Sequence, residues 1–350
     1  MGLLQSLRKR LNGRRAGEFK KSASILLGEQ KLSLVDVGAA GCLPEPWEKW
    51  RGFTQVTAFE PDQKAGEVWK IRYSDSAYRL IPHGLSLEGG VQTLYKLNSP
   101  TGSSLKKLSI PLSPYLEKNY CFPIEEKKVL TKTLEQALGE EGRSIVDGIK
   151  LDTQGTELDI LKSLENGDIE NIFFLETEIG CPGAYENAPS LGEWIEFMAR
   201  RGFELYDLQP LRTPLAEFRK NKSLWNDLNV LNGDASVSQR VWEVDALFIN
   251  TKKLKRSILD KKQLVKACCS LCMYNFFLEA LDLVDLAAEE KTISDEESLT
   301  WRSAIRGIHR NLSRDLLESR LPFLAAIGEV IGGRNQRRWC QYRFYQHPNG

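Results

Sequence analysis

The chain of 350 residues is poor in histidine and methionine, with three of each, and carries almost no excess charge, since 48 Lys and Arg stand against 47 Asp and Glu. A net charge of +1 gives no global polyelectrolyte character and argues against nucleic acid as a partner. No run approaches the roughly 20 apolar residues of a membrane span, and the N-terminus lacks the apolar core of a secretory signal, so a cytoplasmic location is expected. The seven cysteines are odd in number and irregularly spaced, which argues against a disulfide framework. Cys269 and Cys272 form a single C-x-x-C beside Cys268 in the run LVKACCSLCMYNFFLEALDLVDLA. A structural zinc site needs a second close pair of ligands, and only the distant Cys340 and His347 are available, so buried core thiols are expected. The phosphate fingerprint G-x-G-x-x-G, the elbow G-x-S-x-G and any Ser/His/Asp arrangement are also missing, which disfavours a nicotinamide dehydrogenase and a hydrolase.

What is there starts with a lopsided N-terminus. MGLLQSLRKRLNGRRAGEFKK carries seven basic residues against the single acid Glu18, with Leu3, Leu4, Leu7 and Leu11 at helical spacing. Such a helix can rest on anionic lipid at the inner face of a membrane, and the alternative is a solvated arm or a helix packed on the domain. Met1, Gly2 and Ser6 also fit the short myristoylation pattern.

From residue 32 to about 250, apolar runs alternate with helical patterns, which predicts an α/β domain with a mostly parallel sheet. Strands are expected at 33–37, 55–59, 79–81, 145–151, 171–176, 204–208 and 241–249. Helices are expected at 156–164, with an apolar face of Leu158, Ile160, Leu161 and Leu164, and at 191–201, with Leu191, Trp194, Ile195 and Met198. Residues 89–133, rich in Gly, Ser, Pro and Thr, read as an extended pair plus a long loop of the kind that forms lids. Beyond 254 the pattern is helical and closes on the basic, aromatic RRWCQYRFYQHPNG. The expected organisation is a basic arm or helix over 1–31, the α/β domain over 32–252 and a helical module over 253–350.

In an open parallel sheet the ligand lies beyond the carboxyl ends of the strands. There the stretch LVDVGAAGCLPEPW sets Asp36 two residues ahead of Gly38, in a turn that continues to Gly41. A pyrophosphate is repelled by such a carboxylate, whereas S-adenosylmethionine carries an ammonium and a sulfonium and is attracted by it. Glu60, at the end of the second strand and about 20 residues on, can accept both ribose hydroxyls. The stretch IVDGIKLDTQGTELDILKSL delivers Asp152 at the end of a buried strand. Methyl transfer to a hydroxyl is an in-line displacement on an activated carbon, so the enzyme aligns the partners and removes a proton. Asp152 can be that base, or can help hold a divalent cation that acidifies the hydroxyl. The alternative is a helix cap, a role open also to Thr153 and Thr156. Glu176 and Glu178 read as the end of the next strand, facing the same crevice. His83 can pair with a substrate hydroxyl or lie near the adenine, and Ser103 and Ser104 of TGSSL offer hydrogen bonds from the long loop.

Taken in order over residues 33–250, VDVGAAGCLPEPW, AFEPD, GLS, TGSSL, IKLDTQGTELDILKS, FLETEIG and WEVDALFI resemble the FkbM family of S-adenosylmethionine-dependent methyltransferases. The most specific piece is K-x-D-x-x-G-x-E, here Lys150, Asp152, Gly155 and Glu157. The resemblance implies a class I methyltransferase fold, Rossmann-like, with a seven-stranded sheet whose last strand, VWEVDALFI, returns antiparallel. It also implies O-methylation of a hydroxyl on a sugar, glycan, glycolipid or natural product. By the same resemblance, Asp36, Gly38 and Gly41 line the methionine end of the cofactor, Glu60 the ribose and Leu85 the adenine side, while Asp152 and Glu157 belong to the second motif. Cys42 departs from the small residue expected after the glycine turn, and the helices after 254 lie outside the family domain. A competing reading is a non-catalytic module that keeps the fold and docks on a membrane or an assembly partner.

Overall fold

Leu32–Val37 forms strand β1, and every residue of it except Ser33 is buried. Burial on both faces is the mark of a central parallel strand, and the sheet around it is built that way. The computed structural model describes residues 17–98, 102–109, 122–142, 145–164, 166–180, 185–213 and 240–320. The large sheet adds β2 (Thr54–Phe59), β3 (Tyr78–Ile81), β7 (Gly148–Leu151), β8 (Phe174–Gly180), β9 (Phe203–Thr213) and β10 (Arg240–Asn250). Its order is β3-β2-β1-β7-β8-β10-β9. β7 runs parallel to β1 and β8, whereas β10 is inserted between β8 and β9 and runs antiparallel to both. This is the class I methyltransferase arrangement implied by the resemblance.

Three strands differ by several residues from the sequence expectation, one being β9, which runs on to Thr213 instead of ending at 208. β7 begins at Gly148 rather than at 145, because the apolar Ile145 is 61% exposed and Asp147, not an aliphatic residue, is buried just before the strand. β8 begins at Phe174 and runs on to Gly180, so Glu176 and Glu178 lie within the strand instead of at its end. Gly148 is required by close packing, since a Cβ there would stand 2.1 Å from the Phe174 ring.

Residues 89–133 supply the expected extended pair. β5 (Gly90–Leu97) and β6 (Pro123–Lys132) pair antiparallel, and β4 (Gly84–Leu85) joins β6 in parallel to complete a three-stranded sheet.

Helices in this part of the chain are α3 (Gln63–Arg72), α4 (Leu134–Glu140), α5 (Glu157–Lys162), α6 (Asn166–Ile169) and α7 (Leu191–Ala199). α7 opens with a reciprocal cap, in which the Ser190 hydroxyl accepts from the Glu193 amide while the Glu193 carboxylate accepts from the Ser190 amide. A cap of this kind stabilises a helix by about 1 kcal/mol. Trp194 and Met198 of α7 are fully buried, and Trp194 stacks on Phe248 of β10. Ile195, expected on the apolar face, is instead 41% exposed, and the neighbouring Phe197 packs against the core.

By packing, the chain falls into two units, of which the one just described spans 34–41 and 56–251. The other gathers 1–33, 42–55 and 252–350. Its described helices are α1 (17–27), α2 (Glu45–Lys49), α8 (Thr251–Ser257, of which only Thr251 belongs to the first unit), α9 (Lys261–Met273), α10 (Phe277–Glu289) and α11 (Asp295–Arg320). α1 buries Phe19, Ala23, Leu26 and Leu27, and Phe19 meets Trp50 edge-on at 5.4 Å. The Trp47 indole donates to the Tyr274 hydroxyl at 2.9 Å. The stretch 17–27 is therefore a packed helix and not a solvated arm.

Cys268, Cys269 and Cys272 are core thiols of α9, pushed up by burial, Cys268 to about 12. Among the described residues no group of His, Cys, Asp and Glu is arranged to hold a metal, and no helix is long and apolar enough to cross a membrane. The leucines and the myristoylation pattern of residues 1–16, the basic tail, Cys340 and His347 lie outside the described residues.

Candidate active site

Near its end β1 carries an acid without hydrogen bonds. Asp36 is 1% exposed, and neither of its carboxylate oxygens has a hydrogen-bond partner. Lys150 Nζ stands 3.8 Å away. Burial pushes the Asp36 carboxyl up to about 6, with Lys150 opposing the shift and Asp152 adding to it. Gly38 follows with φ +82° and a Cβ position 1.9 Å from the Asp152 carbonyl oxygen, so no side chain fits there. The Gly38 amide donates to Phe59 O and the Asp152 amide to Val37 O, each at 3.0 Å, which ties together the ends of β1, β2 and β7. Gly41, at φ +96°, has open space where a Cβ would point.

Glu60, just past β2, is also buried, and its Oε1 accepts from the Asp62 amide at 2.7 Å. Burial again dominates and raises its carboxyl to about 7, although the Asp62 amide favours the ion. A buried carboxylate without hydrogen bonds, a side-chain-free turn and a second acid 24 positions along suit a ligand that is cationic at one end and offers hydroxyls at the other.

The turn after β7 is organised differently. Lys150 Nζ bonds Asp152 Oδ2 at 3.1 Å. Burial disfavours the charge on Lys150, but Asp152, Asp36 and Glu176 outweigh it and keep the amine protonated. The other oxygen of Asp152 accepts from Gln154 Nε2 at 3.2 Å. Glu157, which the second motif offers as a further substrate group, is engaged by the backbone. Its carboxylate accepts from the Thr153 amide at 2.8 Å and from the Gly155 amide at 2.9 and 3.0 Å, and so holds the turn itself. The cap position of α5 is Thr156, whose side chain makes no cap hydrogen bond, and Asp152 does not cap the helix.

Four more acids come from β8 and its neighbour β10. Glu176 and Glu178 of β8 are joined by Glu243 and Asp245 of β10, with Asp245 directly across the ladder from Glu178. Burial aside, Glu243 leads the neighbouring charges that hold the Glu178 carboxyl up, which favours a proton on this pair of acids. Burial, reinforced by that proximity, pushes Glu178 well up, while Glu243 rises to about 7 and Asp245 to about 6.

Ser104 is buried, donates to the Gln154 carbonyl at 2.7 Å and accepts from the Lys106 amide. Ser103 accepts from the Leu97 amide at 3.1 Å. Both serines thus fasten their own loop, a strap over 102–109 that pairs at Leu108 with Tyr185. His83 follows β3 and its Nδ1 lies 2.9 Å from Pro82 O, whereas the Leu85 side chain belongs to the hydrophobic core. Sequence reasoning gave no role to Gln154, Tyr185, Glu243 or Asp245, and named Lys150 only as part of a motif.

Residues 42–205 match the family model described as Methyltransferase FkbM domain. The segment is an FkbM methyltransferase domain. With it the chain carries a methyltransferase enzyme domain. No curated protein sequence matches the chain. Solved structures similar to it include an rRNA methylase from Streptococcus thermophilus, at 13% identity over 66% of this chain and 95% of that one, with a TM-score of 0.31. Another is magnesium protoporphyrin IX methyltransferase from Synechocystis PCC 6803 with bound SAM, at 10% identity over 69% and 81%, TM-score 0.31. A third is an S-adenosylmethionine dependent methyltransferase from Mesorhizobium loti, at 10% identity over 66% and 96%, TM-score 0.32. At TM-scores this low the likenesses carry no weight for the site or the acceptor of the FkbM domain.

Proposed function

We propose that the FkbM domain transfers a methyl group to a hydroxyl of a sugar, glycan or glycolipid, with Asp152 as the proton acceptor. The observation that carries this reading is the Asp152 carboxylate at the end of β7, held by Lys150 on one oxygen and by Gln154 on the other, beside the Asp36 turn. The bound cofactor supplies an electrophilic methyl group on a cationic sulfur. Asp36 offers that cation a buried negative charge, Gly38 and Gly41 let the chain approach it closely, and Glu60 accepts the ribose hydroxyls. Asp152 takes the hydroxyl proton, while Lys150, kept protonated by the acids around it, holds one oxygen of the carboxylate. The carboxylate-rich surroundings from β8 and β10 suit a neutral polyol better than a phosphate, which like charge would repel.

The reading is tested in two steps. Calorimetric titration with S-adenosylhomocysteine is expected to show micromolar binding that weakens at least about tenfold in Glu60→Ala, the loss of a buried hydrogen-bonded carboxylate. Methyl transfer from labelled S-adenosylmethionine to glycan, glycolipid and nucleic acid fractions follows. Label in a glycan hydroxyl, reduced about 10²–10⁴-fold in Asp152→Asn, supports the proposal. Label confined to nucleic acid, or unaltered turnover in Asp152→Asn, overturns it.

A further inference from the structure

We propose that Gln154 is the positioning residue of this site: its side-chain amide orients the Asp152 carboxylate, and its backbone couples that orientation to the docking of the 102–109 strap. The inference rests on the reading of Asp152 as proton acceptor and adds a residue which that reading does not require.

Gln154 has φ +61°, the left-handed region in which a side chain is unfavourable and glycine is at ease. A long amide held there is offset by what it binds. The two protons of Nε2 go to Asp152 Oδ1, at 3.2 Å, and to Glu178 Oε1. At the other end, Oε1 lies 3.0 Å from the Tyr185 hydroxyl. Turning the amide over would set its oxygen against two carboxyls, so this orientation is fixed. Lys150 holds Asp152 Oδ2 and Gln154 holds Oδ1, so the Gln154 amide bears directly on the rotation of the carboxylate about its last bond. The strap meets the same residue twice. Ser104 donates to the Gln154 carbonyl, and Tyr185, which sits against Gln154, also reaches Gly102 O at 2.7 Å. Lys106 adds an ion pair to Asp159 and a bond to Asn187 O.

The test uses full-length protein carrying ¹³C at aspartate carboxyls, with the Asp152 signal assigned by its loss in Asp152→Asn. Gln154→Gly is the informative variant, because glycine is favoured at this φ and only the amide is lost. We expect a melting temperature no lower than that of the parent and an Asp152 titration midpoint higher by about one pH unit, since a donor to the ion is gone. The other charged groups facing Asp152, namely Asp36 of β1, Glu60 after β2, Lys150 of β7, Glu157 of α5, Glu178 of β8, and Glu243 and Asp245 of β10, are the same in every protein compared. An unmoved midpoint in Gln154→Gly overturns the proposal. Should that variant not fold, Gln154→Glu, which turns the donor into an acceptor, must move the midpoint further in the same direction. Ser104→Ala is expected to move it by a smaller step and to speed tryptic cleavage after Lys106; no change in either overturns the strap coupling. Failure of the proton-acceptor reading would appear separately, as unaltered turnover in Asp152→Asn with the Gln154 shift intact.

Discussion

β1 and α5 each bury an acid beside one of the two turns of the site, β1 near its end and α5 at its start, and the two acids are treated in opposite ways. Glu157 accepts from two backbone amides of the turn it closes, which oppose the burial that raises its carboxyl to about 7. Asp36, equally buried, accepts no hydrogen bond and has only the Lys150 amine at 3.8 Å. Burying a carboxylate costs several kcal/mol unless it is paired or hydrogen-bonded, so the first acid serves the fold and the second is held against the fold's interest. The difference separates structure from function within one crevice, where proximity alone would count both as site residues.

The largest expected effect comes where the two turns touch. Gly38→Ala would drive a Cβ to within 1.9 Å of the Asp152 carbonyl at a φ hostile to side chains. A loss of about 4 kcal/mol or more is expected by urea denaturation, and a parental midpoint would show that the turns are not in contact in solution. Glu157→Ala leaves two buried amides without an acceptor and is expected to cost about 2–4 kcal/mol at pH 5 by the same measurement. Burial raises the Glu157 carboxyl to about 7, above the ordinary 4.5, so stability from this group is lost as pH rises through 7 and the cost is smaller at pH 8. A strong loss of S-adenosylhomocysteine affinity with little loss of stability would reverse the assignment of the two acids.

Asp36→Asn has the smallest expected effect and the opposite sign. The folded value of about 6 lies above the ordinary 3.8, so stability from this group is fully present below pH 4 and is lost as pH rises through 6. The variant escapes that loss. It should match the parent at pH 4 and exceed it at pH 8 by about 2–3 kcal/mol without ligand, while binding S-adenosylmethionine more weakly. Lower stability than the parent at pH 8 would mean that the Lys150 ion pair outweighs desolvation.

Much of this arrangement was legible in the sequence, because its physical basis is local. Seven apolar runs with turn residues between them predicted the seven strands, and Asp36 stood out because a carboxylate inside a glycine turn conflicts with phosphate binding. What escaped notice depends on long-range pairing. Glu243 and Asp245 alternate with apolar residues in VWEVDALFI, a pattern that reads as a half-solvated strand, yet insertion between β8 and β9 buries Glu243. Gln154 gives no local sign of importance, since its partners arrive from Ser104, Glu178 and Tyr185. Ile195 was misread for the converse reason: α7 is short, and the core reaches it through Trp194 and Met198, leaving the next position to solvent.

The place of β10 has a consequence for how the chain comes to be folded. β9 meets the large sheet through β10, and β8 pairs along its whole length with a strand that begins some sixty residues later in the chain. During synthesis the far side of the sheet therefore stays open until residue 250 has emerged, with the backbone of β8 unpaired along one edge. Such non-local closure is slow, and an open edge invites pairing with a neighbouring chain. A translation product stopped short of Arg240 keeps the glycine turn and Asp152 but not the strand that closes the sheet, and it should be recovered as aggregate.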